Sequence, residues 1–136
     1  MNDSPTLIAA ARQREENMRI VLDFYERGLM RRDFDAAKQH FGPRYTQHNP
    51  DVADGPEGFR AFLQFLREKL PNSRSEIKRV IADGDYVVVH AHAIPVPGER
   101  GLAIVDIFRL EGGKIVEHWD VVQPIPETAA NSNGMF

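Results

Sequence analysis

Hydrophobic and polar positions follow two different periods along the chain. Up to about residue 70 the apolar residues recur at helical spacing, and beyond it they alternate or form the short runs typical of strands. This order predicts an α+β fold in which three N-terminal helices cover one face of an antiparallel sheet. The predicted helices span about 5–31, 33–40 and 54–70, and the predicted strands span 75–82, 86–94, 102–110 and 115–123.

The last two predicted strands form a hairpin, because Gly112 and Gly113 between them supply the positive φ angles of a tight turn. Counting outward from this turn pairs Leu110 with Ile115, and Asp106 with Trp119. Asp106 is a carboxylate in the middle of an apolar face, and burying it without partners is costly, so we predict a chemical or a hydrogen-bonding role. Its face carries Leu102, Ile104, Phe108, Leu110, Ile115, Glu117, Trp119, Val121 and Gln123. The opposite face carries Ala103, Val105, Ile107, Arg109, Val116, His118, Asp120 and Val122.

Composition narrows the classes of function. The 136 residues predict one domain, with about 1–17 as a helical extension and about 124–136 as a C-terminal tail. A formal charge of −3 without a basic cluster argues against a nucleic-acid partner. The absence of cysteine excludes disulfides and thiolate metal sites. Because we recognise no signal peptide and no apolar run of membrane length, we expect a cytoplasmic protein without a membrane partner.

Four side chains are candidates for acid/base chemistry. Loss of hydration would suit Asp106 to proton transfer beside a carbonyl, whereas a structural Asp106 would accept a hydrogen bond from Trp119 or a nearby histidine. His48 lies in a short extended segment between helices, and imidazole titrates near neutral pH. His90 and His92 share one strand face, where they act as proton partners or join an interface network. Two histidines at this spacing with a carboxylate could bind a metal, but no other ligand is marked, and we expect neither metal nor cofactor.

Aromatic residues outside this set predict either core packing or an aromatic wall for a small ligand. They are Tyr45, Phe59, Phe62, Phe108 and Trp119. The second hairpin face is too apolar for open water, and it predicts a sheet-to-sheet homodimer built on Val105, Ile107, Val116 and Val122. On that face we expect Arg109, His118 and Asp120 to form an ion-pair network across the interface.

Six stretches share residues with one known family, and they are Asp33–Ala37, Tyr45–Pro50, Asp54–Phe59, Asp106–Leu110, Gly113–Asp120 and the tail Asn131–Phe136. In these stretches the chain resembles the SnoaL-like polyketide cyclase group of the nuclear-transport-factor-two-like superfamily, particularly its predicted aldol-condensation-type enzymes. The resemblance covers essentially the whole chain after about Met18. It implies a cone-shaped α+β fold with a curved antiparallel sheet.

The same resemblance implies a cofactor-free acid/base enzyme that acts on a small carbonyl compound by aldol-type cyclisation, isomerisation or hydration. In this family an acid/base aspartate lies near the end of the last strand, and the matching position here is Gln123, beside the ligand pocket. Because glutamine cannot shuttle protons at neutral pH, a non-catalytic small-molecule binding protein of the same fold is the alternative. A plain dimerisation module is a third possibility. In the enzymatic case Asp106 is the base or enolate donor, with His48 and one of His90 and His92 as its proton partners.

Overall fold

A computed structural model describes residues 4–136 of the chain. Helix α1 spans Pro5–Asp23 and continues into a π-helical segment, Phe24–Met30, before the short helix α2 (Phe34–Lys38) and helix α3 (Gly55–Lys69). The strands are β1 (Phe41–Gln47), β2 (Arg74–Asp83), β3 (Tyr86–Ile94), β4 (Leu102–Glu111) and β5 (Lys114–Pro124). No helix within residues 4–136 is long and apolar enough to cross a membrane.

The five strands form one curved, unclosed sheet in the order β1-β5-β4-β3-β2. Strands β2 to β5 pair antiparallel, and the helices lie against one face of the sheet, which confirms the α+β prediction. The segment predicted as a short extended stretch is instead part of edge strand β1, which pairs parallel with β5. Its backbone is held at both ends, since the Ile115 N–H donates to the His40 carbonyl (2.7 Å) and the His48 N–H donates to the His118 carbonyl (3.0 Å).

The helical half of the chain begins where its capping residues predict. The Ser4 Oγ accepts the Leu7 N–H at 3.2 Å, and the Asp33 carboxylate accepts the Ala36 N–H at 3.0 Å. The helical stretch predicted up to about residue 31 consists of two parts, since α1 ends at Asp23 and Phe24–Met30 is π-helical. Single-turn π segments are frequent at functional sites. This one places Phe24 and Tyr25 in the core, and both line the cavity described below.

The β4–β5 hairpin begins as predicted and then changes register. Gly112 and Gly113 have φ angles of 53° and 76°, and Leu110 pairs with Ile115. Val116 is then an extra residue, so that Arg109 pairs with Glu117. A bulge of this kind sends every later side chain to the opposite face.

The predicted facing of Asp106 and Trp119 is therefore wrong. Asp106 pairs with Asp120, whereas Trp119 pairs with Ile107 on the other face of the sheet. His118 and Asp120, which we expected at a dimer interface, lie on the inner face that the helices cover. Val122 also lies on the inner face, opposite Ile104, and Val116 is buried at the bulge.

The outer face of the sheet is left uncovered by the helices. Trp119 and Val121 stand there beside Val105 and Ile107, and Val121 is 66% exposed. The C-terminal residues after β5 have no helix or strand, and their last ring, Phe136, stacks on His92 with ring centroids 4.7 Å apart. The tail therefore touches the β3 part of the outer face and not the inner cavity.

Candidate functional site

A cavity of about 250 Å³ lies between the inner face of the sheet and the helices. Most of its wall is apolar and aromatic, and the aromatic members are Phe24, Phe59, Phe62, Phe65 and Phe108. Polar side chains from β1, the π-helical segment, β4 and β5 converge on one region of this wall, and they are Tyr25, Tyr45, Gln47, Asn49, Asp106, His118 and Asp120. A mostly apolar pocket with a few convergent polar groups is the usual form of a small-molecule site.

Asp106 and His118 form a buried pair at the centre of the polar region. The His118 Nε2 lies 2.8 Å from the Asp106 Oδ1, and the two residues are only 7% and 6% exposed. Tyr25 donates its hydroxyl proton to the other carboxylate oxygen, Oδ2, at 3.0 Å. Both oxygens of Asp106 are thus engaged, which accounts for a carboxylate on a largely apolar face.

Gln47 determines which nitrogen of His118 carries a hydrogen. The Gln47 Oε1 accepts the backbone N–H of Asn49 at 2.9 Å, which fixes the orientation of the amide because a backbone N–H only donates. The same oxygen lies 2.7 Å from the His118 Nδ1, so Nδ1 must be the donor. Nε2 then shares one proton with Asp106, either as an imidazolium beside a carboxylate or as a neutral imidazole beside a carboxylic acid. The two side chains of the pair therefore hold one proton between them.

Asp120 is the carboxylate that faces the cavity with a free oxygen. Its Oδ2 accepts the side-chain N–H of Asn49 at 2.7 Å, and no donor among residues 4–136 engages its Oδ1. Burial raises the pKa of Asp120, the Asn49 hydrogen bond opposes that rise, and the nearby Asp106 adds to it. A partly desolvated carboxylate with a raised pKa is better suited to accept a proton than an ordinary surface aspartate.

Two tyrosines supply hydroxyl donors that stay protonated. Burial, and then the charge of Asp106, raises the pKa of both Tyr25 and Tyr45 far above the physiological range. The Tyr25 hydroxyl donates its hydrogen bond to Asp106. The Tyr45 oxygen accepts a hydrogen bond from the Gln47 Nε2 at 3.3 Å, which leaves its own hydrogen to point at a cavity ligand.

The same cluster has the composition of a cation site. Ligand atoms of Asp106, His118 and Asp120 lie within 4.8 Å of one another, and His118 already donates its other ring N–H to a carbonyl oxygen, as metal-bound histidines do. To bind a cation, however, the His118 Nε2 would have to give up its hydrogen bond to Asp106. The metal alternative considered from the sequence, through His90 and His92, would lie on the other side of the sheet.

The structure divides the sequence-predicted site residues between the two faces. Asp106 lines the cavity together with Tyr45, Phe59, Phe62 and Phe108. Among the other predicted residues, Trp119 and Gln123 point away from the cavity, because the extra residue Val116 changes the sheet face to which the later β5 side chains point. His90 and His92 point away because β3 presents Val89 and Ala91 to the inner face, and strand alternation puts both histidines outside.

His48 also lies outside the cavity. Its Nε2 is 2.7 Å from the Glu117 Oε2, and its ring stacks on Trp119 with centroids 4.9 Å apart. The side chain is 41% exposed. The neighbouring residues Gln47 and Asn49 are the ones that reach the inner cluster.

Sequence reasoning missed five members of the cluster, namely Tyr25, Gln47, Asn49, His118 and Asp120. The useful signal was the adjacent apolar pair Ile115-Val116, since both side chains are buried and a regular strand would bury only one. An extra residue at this pair puts His118 and Asp120 on the Asp106 face.

Residues 21–118 match the family model of the SnoaL-like domain. The match spans more than two thirds of the chain, and the chain belongs to this family. No curated protein matches the sequence.

Solved structures of several bacterial proteins share the fold. One from Bacillus cereus, provisionally assigned as a polyketide cyclase, superposes with a TM-score of 0.70 at 22% identity, over 79% of this chain and 74% of that one. AclR of Streptomyces galilaeus, provisionally assigned as a hydroxylase, gives 0.66 at 20% identity, over 82% and 81% of the two chains. An NTF2-like protein of unknown function from Cytophaga hutchinsonii gives 0.64 at 21% identity, over 79% and 90%. These likenesses confirm the cone-shaped fold that the sequence resemblance implied.

Proposed function

We propose that this protein is a cofactor-free acid/base enzyme that removes a proton from the carbon next to a carbonyl group. The observation that carries this proposal is the buried cluster of Asp106, His118 and Asp120 at the polar region of an apolar cavity. Membership of the SnoaL-like family and the assignment of the Bacillus cereus protein as a polyketide cyclase support the same class of chemistry.

Each polar side chain has a role that its contacts suggest. The Asp120 carboxylate accepts the proton, the C–H bond breaks, and its electron pair forms an enolate. The Tyr45 hydroxyl donates a hydrogen bond to the developing enolate oxygen, where a fixed donor is worth most. Asp106 has both oxygens engaged, so it orients His118 rather than acting as the base. The enolate can attack a second carbonyl of the substrate, which closes a ring in an aldol reaction, and the resulting alkoxide takes the proton back from Asp120. Where a carbon–carbon double bond is conjugated with the enolate, Asp120 can instead return the proton to the far carbon of that system, which is isomerisation.

Hydrogen–deuterium exchange tests this proposal with a simple ketone. In D₂O the enzyme should accelerate exchange of the protons next to the carbonyl of octan-2-one, followed by proton NMR. Asp120→Asn keeps the shape of the side chain but removes the base, and the rate should fall by about 10²–10⁴-fold. Glu117→Gln on the outer face is the matched control and should exchange at the wild-type rate. An Asp120→Asn protein with the wild-type rate would contradict the assignment.

A second candidate is a non-catalytic binding protein for a small carbonyl compound. The locking of Asp106 by His118 and Tyr25 favours it, because a carboxylate held by two hydrogen bonds has a sufficient structural reason to be there. Octan-2-one would then bind to the wild-type protein, measured by calorimetry, with no exchange above the buffer rate.

We also propose that the outer sheet face binds a second copy of the chain. Val121, Ile81 and Tyr86 are exposed there, and a contiguous apolar patch usually marks an interface. Of the residues first expected in this interface, Val105 and Ile107 remain, whereas the bulge removes Val116, His118 and Val122. Light scattering at micromolar concentration should give twice the 15.4 kDa chain mass. Val121→Lys should give the monomer mass, and a wild-type monomer would contradict this proposal.

A further inference from the structure

The cavity has a second polar region at the opposite end from the acid/base cluster. On the inner face Ser75 pairs with Ala93, which pairs with Leu102, and all three line the cavity. Leu102 precedes Asp106 by four residues on β4, which at about 3.4 Å per residue places the two ends roughly 14 Å apart. The aromatic wall lies between them. A ligand that fills the cavity can therefore touch both ends.

Arg32 occupies this second end in an unusual backbone conformation. It has a φ of 58°, the left-handed region that favours glycine, and follows directly after the π-helical segment and Arg31. Its guanidinium donates to the carbonyls of Leu29 and Met30, and to the carbonyl and hydroxyl of Ser73. All these acceptors are neutral. The position thus carries a half-buried cation, although glycine would fit the backbone better.

The positive charge at this end is not balanced within the part of the chain that the structure describes. Neither Arg32 nor Arg74, which also lines the cavity, lies within 4.0 Å of a carboxylate of residues 4–136. Arg67 adds a third cation, since its guanidinium donates to the backbone carbonyl of Arg32. A partly buried cation is usually paired, so the geometry calls for an external anion.

We propose that Arg32 and Arg74 form a carboxylate subsite, and that the substrate is an apolar molecule with a carboxylate at one end and the reacting carbonyl at the other, separated by the roughly 14 Å between the two ends of the cavity. The planar guanidinium of Arg74 matches the two oxygens of a carboxylate. Arg32, whose Nη1 and Nη2 already donate to oxygens of Leu29, Met30 and Ser73, contributes its positive charge and its Nε–H. The carbonyl end of this description rests on the proposed function, whereas the carboxylate end rests on the two arginines alone. The substrate class is thus a keto acid with an aliphatic or aromatic body.

Paired probes test the subsite separately from the chemistry. 12-Oxotridecanoate carries a methyl ketone at one end and a carboxylate at the other, far enough apart when extended to reach both ends of the cavity, and its methyl ester differs only in lacking the charge. Calorimetry on the full-length protein should show that the acid binds roughly tenfold or more tightly than the ester, as expected for charge-assisted hydrogen bonds. Arg32→Gln and Arg74→Gln should each remove most of this difference and leave the affinity for the ester unchanged. Arg44→Gln removes an exposed arginine outside the cavity and is the control for net charge.

The outcomes separate this inference from the proposed function. Equal binding of acid and ester to the wild-type protein, or an acid preference that survives Arg74→Gln in a folded protein, overturns the subsite. Arg74 begins β2 and is exposed, so its variant tests the proposal even if Arg32→Gln fails to fold. Deuterium exchange of octan-2-one, a neutral ketone, should be the same in the control Arg44→Gln as in the wild type. If exchange is lost in Asp120→Asn but the acid and the ester bind equally well, the proposed function stands and the subsite is wrong.

Discussion

Strand β5 contributes one residue to a histidine–carboxylate pair on each face of the sheet, and the two pairs have nearly the same geometry. On the inner face the His118 Nε2 lies 2.8 Å from Asp106, and on the outer face the His48 Nε2 lies 2.7 Å from Glu117. Their environments differ. Both inner side chains are 9% exposed, whereas His48 and Glu117 are 41% and 19% exposed.

Burial, and not distance, separates the two pairs chemically. The outer pair is screened by water and shares Glu117 with Arg109, so hydrogen bonds from His48 and Arg109 hold the pKa of Glu117 below its usual range. Beside the inner pair, burial instead raises the pKa of Asp120. The outer network favours the charged carboxylate, and the inner site makes a carboxylate more basic. Only the second arrangement supports proton transfer from carbon.

Truncating the two histidines compares the pairs directly. His118→Ala leaves Asp106 buried with Tyr25 as its remaining donor and should cost about 3–5 kcal/mol. His48→Ala removes an exposed pair and should cost about 1 kcal/mol or less. Both free energies of unfolding come from denaturant titrations at pH 7. Equal costs would mean that burial does not distinguish the pairs.

Tyr25→Phe isolates the donor that the π-helical segment provides. The ring still fills its place in the core, but the hydrogen bond to the Asp106 Oδ2 is lost. Leaving a buried carboxylate oxygen unpaired should destabilise the protein by about 1–3 kcal/mol. Thermal melting detects this loss, and Tyr86→Phe, at an exposed outer position, is the control. An unchanged melting temperature for Tyr25→Phe would argue against the contact.

The smallest effect is a pH dependence of opposite sign on the two faces. The raised pKa of Asp120 means that the folded state binds more protons, so the wild type should lose stability relative to Asp120→Asn as pH rises through the window above about 3.9. The lowered pKa of Glu117 means the reverse. Its stabilisation is present above about pH 4.3, relative to Glu117→Gln, and is lost as pH falls below that value.

Denaturant titrations of these variants from pH 3 to 7 measure both trends. The Glu117 difference should stay below about 1 kcal/mol and weaken in salt, since the pair is near the surface. If the two differences change in the same direction with pH, the contrast between the faces is wrong.

How far the sequence predicts this molecule depends on whether a feature is local. The Gly112-Gly113 turn, the capped helix starts and strand β3 follow from short-range chemistry, and the structure has them where they were predicted. Asp106 and Phe108 were placed on the correct face because β4 is regular along its length. The α3 residues Phe59 and Phe62 followed from helical spacing in the same way.

The remaining features depend on contacts that lie far apart in the chain. The Val116 bulge is accompanied by a hydrogen bond that His118 donates to Gln47 and by one that Asn49 donates to Asp120, each across 71 residues. Alternation within β5 contains no information about β1, so it could not place these side chains. For the same reason the sequence did not show that Gln47 and Asn49 reach the pocket, and His48 was predicted there instead.

The most direct test of the account is the protonation state of His118. Nitrogen-15 NMR of the imidazole rings reads which ring nitrogen carries a hydrogen. We expect the His118 Nδ1 to carry a hydrogen, with the second proton shared between Nε2 and Asp106, and we expect Asp106→Asn to change the Nε2 resonance strongly. A His118 ring with a bare Nδ1 and a hydrogen only on Nε2 would contradict the order of hydrogen bonds that we assign from Gln47 through His118 to Asp106.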